Sequence, residues 1–243
     1  VLSQMTEKPV EWTAANPVLV LDTSHVVRVA VAVGNRRAQL RDAYNVLRGR
    51  DPRTRQIVPE AREAELKKLR GGLEKTLSRT NWDEFLKVME RAGIRNDSMV
   101  PSKNLVLYTY ALWIIGREDF KVPWDVLRDA MACFYFMAQV TGRYTNSPES
   151  SAQKDLNRLN DLEPTPEAFL SVIDGQVDAA LTQDWWTVTL PEDLYTSNAS
   201  GPAYTAYLAA LSILNANVLL SNLSVRDWLD PSRRPQRGVE RHH

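Results

Sequence analysis

The chain is poor in the residues that most enzymes use for chemistry. It carries one cysteine, Cys133, and three histidines, His25, His242 and His243, in 243 residues. A single cysteine excludes an internal disulfide and fits a reducing, cytoplasmic setting. Histidines this few, two of them at the very end, leave no Cys/His metal constellation and little for acid–base catalysis. Also missing are a nucleophile elbow, a His-Glu-x-x-His pair and a glycine-rich phosphate loop; Gly71-Gly72 has neither a strand before it nor Lys-Ser after it. Charge of either sign is not in excess, with Lys plus Arg at 30 and Asp plus Glu at 30, so no global field draws the chain to nucleic acid or membrane and such binding would need a local patch. No apolar run reaches the roughly 20 residues of a membrane span. The first residue is valine and no signal pattern follows it, so the expectation is an internal piece of a longer protein.

What is present is helical periodicity. The most apolar stretch, Val122 to Val140, opens with Pro123, is hydrophobic on nearly every face through Met131, Cys133, Phe134, Tyr135 and Met137, and stops at Gly142; a helix of that kind is buried. Ser147-Pro148-Glu149 then starts a second helix with cap, proline and acid in order, so 122–155 reads as a central helical hairpin. Around it, the pattern places helices over Ser24–Val33, Arg36–Arg48, Pro59–Ser78 with a kink at Gly71-Gly72, and an Asn81/Glu84 capping pair opening the next. Pro101–Ile115 stops at Gly116, Thr165–Leu181 follows the hairpin, Pro202–Leu220 is a long apolar helix, and Ser224–Leu229 adds a turn. Trp185 and Trp186 read as core plugs in a short connection. The expected fold is all-α, an irregular multi-helix bundle of about nine helices without sheet, because alternating runs and hairpin turns are scarce. The helical domain is expected over 1–229, with polar, arginine- and proline-bearing 230–243 as a linker or the truncated start of a further domain.

Three residue sets could carry function. Arg36 to Arg55 holds seven arginines, Arg36, Arg37, Arg41, Arg48, Arg50, Arg53 and Arg55, against Asp42 and Asp51. Such a run is either a solvated helix face with its acids nearby in space or a phosphate-contacting patch for duplex DNA, since arginine forks fit phosphate. Arg143 at the hairpin corner, with Glu149 and Asp155 on the following helix, is either an arginine–carboxylate brace or a ligand site. His242 and His243 are either a tag remnant or the start of a truncated motif.

The run Thr141-Gly142-Arg143-Tyr144-Thr145-x-Ser147-Pro148-Glu149-Ser150 with Asp155-Leu156, then Val225-Arg226-Asp227-Trp228-Leu229, then Val239-Glu240-Arg241-His242-His243, resembles the helical half of GmrSD-type modification-dependent restriction proteins. Those proteins join a ParB-like nucleotide-hydrolysing half to an HNH nuclease half. The resemblance implies a helical relay region, not catalytic by itself, within a phage-defence endonuclease that acts on modified DNA, with the two flanking domains as partners. It implies a nucleoside triphosphate and a divalent metal for the longer protein and no cofactor for this stretch. It also makes His242 similar to a metal ligand and His243 similar to the general base of the nuclease. From a different class stands a helical protein–protein interaction scaffold with no nucleic-acid role.

Overall fold

The computed structural model describes residues 22–50, 56, 59–196 and 201–230. Every regular element among them is helical: α1 Thr23–Asn35, α2 Leu40–Leu47, α3 Pro59–Thr76, α4 Arg79–Arg91, α5 Lys103–Glu118, α6 Trp124–Val140, α7 Pro148–Arg158, α8 Pro166–Ala180, α9 Leu190–Thr196, α10 Pro202–Ile213 and α11 Val225–Leu229. A 3₁₀ turn at Asp97–Met99 and a π turn at Trp185–Thr189 complete the order. Pairing between extended segments, among the described residues, amounts to an isolated bridge between Asn217 and Ser224. The all-α expectation therefore holds.

The two most apolar stretches form the centre. From Leu105 to Gly116 every residue of α5 is buried, and α6 buries Leu127, Met131, Phe134, Tyr135 and Met137. α5 packs on α6 and on α1, while α4, α8 and α10 each lean on α6. Trp82 and Phe85 of α4 meet Tyr110 at 5.0 Å ring separation, and Tyr110 stacks on Trp113 at 6.3 Å. Aromatic rings supply large apolar area in this geometry, which is why these helices converge here. Cys133, expected inside, is exposed instead; α6 has a solvent stripe at Asp125, Val126, Asp129 and Cys133, a spacing of one helical face.

Several expected boundaries move, for packing reasons. Gly116 lies inside α5 rather than at its end: a Cβ there would sit 2.7 Å from the Phe169 ring, so this glycine admits α8. Gly71-Gly72 does not interrupt α3, which is one continuous helix. A Cβ on Gly72 would stand 2.3 Å from the Ala30 carbonyl oxygen, and one on Gly34 would stand 2.2 Å from that of Lys68; the pair lets α1 and α3 touch backbone to backbone. α4 is capped by Ser78, whose hydroxyl accepts the Asn81 N–H at 3.3 Å, and not by Asn81 with Glu84. α10 stops at Ile213, seven residues short of Leu220, because Asn215 takes φ 51° and the chain turns. Leu219 and Leu220 are left exposed on that turn. Trp185 is buried as expected, but Trp186 is half exposed. Residues 1–21 and 231–243, including the expected linker, lie outside the described residues.

Candidate functional site

The hairpin corner is built by the sequence that follows α6. Thr141 closes the helix by donating its N–H to the Met137 carbonyl, and Gly142 takes φ 60°, the left-handed conformation glycine adopts without strain. The Arg143 N–H returns to Ala138 O at 3.0 Å, which turns its side chain inward. Pro148 then opens α7 in the first turn, and Asp155 arrives two turns later.

Arg143 reaches Asp155 with both arms of its fork. Nε donates to Oδ2 at 3.0 Å and Nη2 donates to Oδ1. The same carboxylate accepts the Tyr144 hydroxyl at 2.7 Å and Arg158 Nη1 at 2.9 Å. Gln176 from α8 completes the cluster: its Oε1 accepts from Arg143 at 2.6 Å and from Arg158 at 2.8 Å. Asp155 and Tyr144 are each 1% exposed. Burial is the largest single effect and works against the Arg143 charge, but the hydrogen bond and charge of Asp155, with smaller help from Tyr144, together outweigh it and raise its pKa. Burial first, and the neighbouring Asp155 charge second, push the Tyr144 phenol well above its ordinary range. A carboxylate holding four donors has no lone pair positioned to take a substrate proton, and a phenol this hard to ionise is no nucleophile. The chemistry available to this cluster is bracing.

Glu149 is not part of that brace. It pairs with Arg28 of α1 at 3.0 Å, and the same guanidinium nitrogen donates to the Tyr108 hydroxyl at 3.3 Å. Tyr108 donates onward to Ala38 O at 3.0 Å, and its ring lies 5.5 Å from that of Tyr144. The three corner residues thus sit in two adjoining networks linked by a tyrosine pair.

The described arginines of the Arg36–Arg55 run have different surroundings. Arg36 Nη2 is bonded to Asp119 at 2.6 Å, beside Lys75 on the same carboxylate at 2.8 Å. Arg48 lies 4.3 Å over the Tyr44 ring. Arg37, Arg41 and Arg50 make no ion pair with another described residue. Arg53 and Arg55 lie outside the described residues, as do His242 and His243. Among the described residues no group of three His, Cys, Asp or Glu side chains could hold a metal ion, and no helix is long and apolar enough to cross a membrane.

A site that sequence reasoning missed lies between α4, α6, α10 and α11. An open groove of about 370 Å³ is lined by Lys87, Arg91, Arg95, Arg128 and Arg226 around Glu90. Its cations come from α4, the turn after it, α6 and α11, so no run of basic residues signals it in the sequence.

Comparison of the chain with protein-family models, with curated proteins and with solved structures gave no significant match.

Proposed function

We propose that the chain is the helical relay region of a modification-dependent restriction protein of the GmrSD type, non-catalytic by itself. What supports the reading is that the motif carrying the resemblance folds into two adjoining networks at one corner. Arg143, Tyr144 and Asp155 share a single buried carboxylate, and Glu149 ties the adjoining network to α1. A fixed corner of this kind joins α1, α7 and α8 without being able to react, which suits an element that passes a displacement between domains. In the longer protein, nucleotide hydrolysis would supply the displacement and the nuclease half would use it on modified DNA. His242 and His243 belong to this proposal as the entry to the nuclease motif, a metal ligand and the water-activating base.

The test is cleavage of base-modified and unmodified phage DNA by the complete gene product, with a divalent ion and a nucleoside triphosphate. Cutting of modified DNA only, abolished by His243→Ala and uncoupled from nucleotide hydrolysis by Asp155→Asn, is the expected result. Absence of nucleotide-dependent cutting, or full activity of the His243→Ala protein, overturns it. The scaffold reading draws on a separate observation. Leu214, Leu219 and Leu220, on the turn after α10, are 76%, 84% and 100% exposed, and such a turn would offer a partner an apolar contact.

A further inference from the structure

We propose that the groove between α4, α6, α10 and α11 binds a phosphate group carried by a nucleotide or a nucleic acid, an inference that does not depend on the functional reading above. Five cations line it, and three carboxylates serve all five. Glu90 Oε1 accepts from Arg95 at 2.8 Å and from Arg226 at 3.1 Å. Glu84 divides its two oxygens between Lys87 and Arg128, the latter at 2.9 Å. Asp129 takes only the Nε of Arg91, at 3.0 Å. Each of these ion pairs is a single N–H to oxygen contact, in contrast to the two-armed grip on Asp155. A guanidinium has five donors, so among the described residues most of the donors facing the groove are not spent on protein acceptors, and the lining keeps a net positive charge.

Preorganisation sets the groove apart from an ordinary charged surface. Arg95 is only 12% exposed, and its Nε is fixed at 3.0 Å from Ser212 Oγ of α10. Ser212 is itself buried. A largely buried, oriented guanidinium loses little freedom when an anion arrives. Arg91 and Arg226 stand at the rim, 63% and 51% exposed, where a field gathers anions before contact. Phosphate is the anion that matches, because several acceptor oxygens on one centre can bridge two or more guanidiniums at once. The volume, near the lower end of small-ligand sites at about 300–1,000 Å³, suits one nucleotide unit.

The experiment uses fluorescence anisotropy of the 243-residue chain with a short fluorescein-labelled DNA duplex at low salt, competed by tripolyphosphate and by ATP. The groove variant is Arg91→Gln with Arg226→Gln; both side chains are more than half exposed, and a thermal melt checks that the fold is kept. The reference variant is Arg37→Gln with Arg41→Gln on α1–α2. The parent should bind the duplex, tripolyphosphate should displace it, and the groove variant should lose at least about tenfold in affinity while the log–log salt slope falls by about two. Binding of ATP and tripolyphosphate with no duplex binding, lost in the same variant, supports the groove and assigns the phosphate to a free nucleotide. Three outcomes overturn the proposal. These are no binding of any probe by the parent, groove-variant binding equal to the parent's, and loss confined to the Arg37/Arg41 variant.

Discussion

The Arg143 guanidinium meets the Asp155 carboxylate side-on, with Nε on Oδ2 at 3.0 Å and Nη2 on Oδ1, and the carboxylate is 1% exposed. Removing Arg143 leaves the buried carboxylate with only Arg158 and the Tyr144 hydroxyl, a cost of about 3 kcal/mol, the low end for breaking a buried pair. Arg143→Ala should therefore destabilise the chain by that amount in urea titration. Arg143→Lys should cost nearly as much, because an ammonium cannot offer two parallel donors and cannot also reach Gln176. Stability changes under about 1 kcal/mol in both variants would show that the corner is not held by this pair.

The two adjacent glycines of α3 should respond oppositely to alanine. A Cβ on Gly71 meets nothing within 4 Å, so Gly71→Ala gains helix propensity and should stabilise by about 0.5–1 kcal/mol. Gly72→Ala places a methyl against the Ala30 carbonyl and the Gly34 backbone. It forces α1 and α3 apart and should cost about 1–3 kcal/mol. Melting temperatures moving in the same direction for both variants would contradict the backbone-to-backbone contact.

Phe134 is fully buried between the central helices, and the Arg143 guanidinium carbon lies 5.8 Å from its ring centre. Phe134→Ala should cost about 3–5 kcal/mol. Chemical denaturation reads this directly, and a small loss would place the core elsewhere.

Stability should also fall in mild acid through His25. Its Nδ1 accepts the Asp22 N–H at 3.2 Å, which requires that nitrogen to be unprotonated. Burial lowers the His25 pKa, and Lys103 and Arg28 add to the effect against the opposing Asp22 carboxylate. The folded chain therefore binds fewer protons at this site than the unfolded chain. The resulting stability is complete above the unfolded histidine pKa of about 6.5 and is lost as pH falls from there towards the lower folded value. The melting temperature should drop between about pH 7.5 and pH 5.5, and His25→Ala should flatten that slope. An unchanged slope in the variant would assign the dependence to other groups.

The sequence made the architecture legible wherever a segment's own residues decide its state. The apolar run of α5 and the inner face of α6 read as core and are core, and proline starts at Pro148, Pro166 and Pro202 mark real helix beginnings. Where a neighbour decides, local rules failed. Gly116 reads as a stop by itself, but Phe169 from another helix occupies the space its missing side chain leaves, and the helix continues. The leucines at 219 and 220 read as a helix continuation, but Asn215 turns the chain first. The site divides the same way. Arg143 and Asp155 are twelve residues apart across one turn, close enough to be paired by eye, whereas Gln176 comes from a later helix. The groove cations span residues 87 to 226, and no local window contains them.

The separation between the two apolar clusters under α1 has a consequence for how the molecule comes apart. One face of α1, through Val29, Ala32 and Val33, belongs to the main core. The other, through Val26, Ala30 and Val31, packs with Leu69 and Leu73 of α3, with Val27, Leu66 and Leu77 at its margin. Local opening follows the smallest set of contacts that must be broken. The α1–α3 contact is the most extensive of any helix pair among the described residues and runs backbone to backbone, so α1 and α3 should open as one unit, their amides exchanging together while those of α5 and α6 stay protected. A force applied along α3 would then draw α1 away with it and leave the aromatic centre closed.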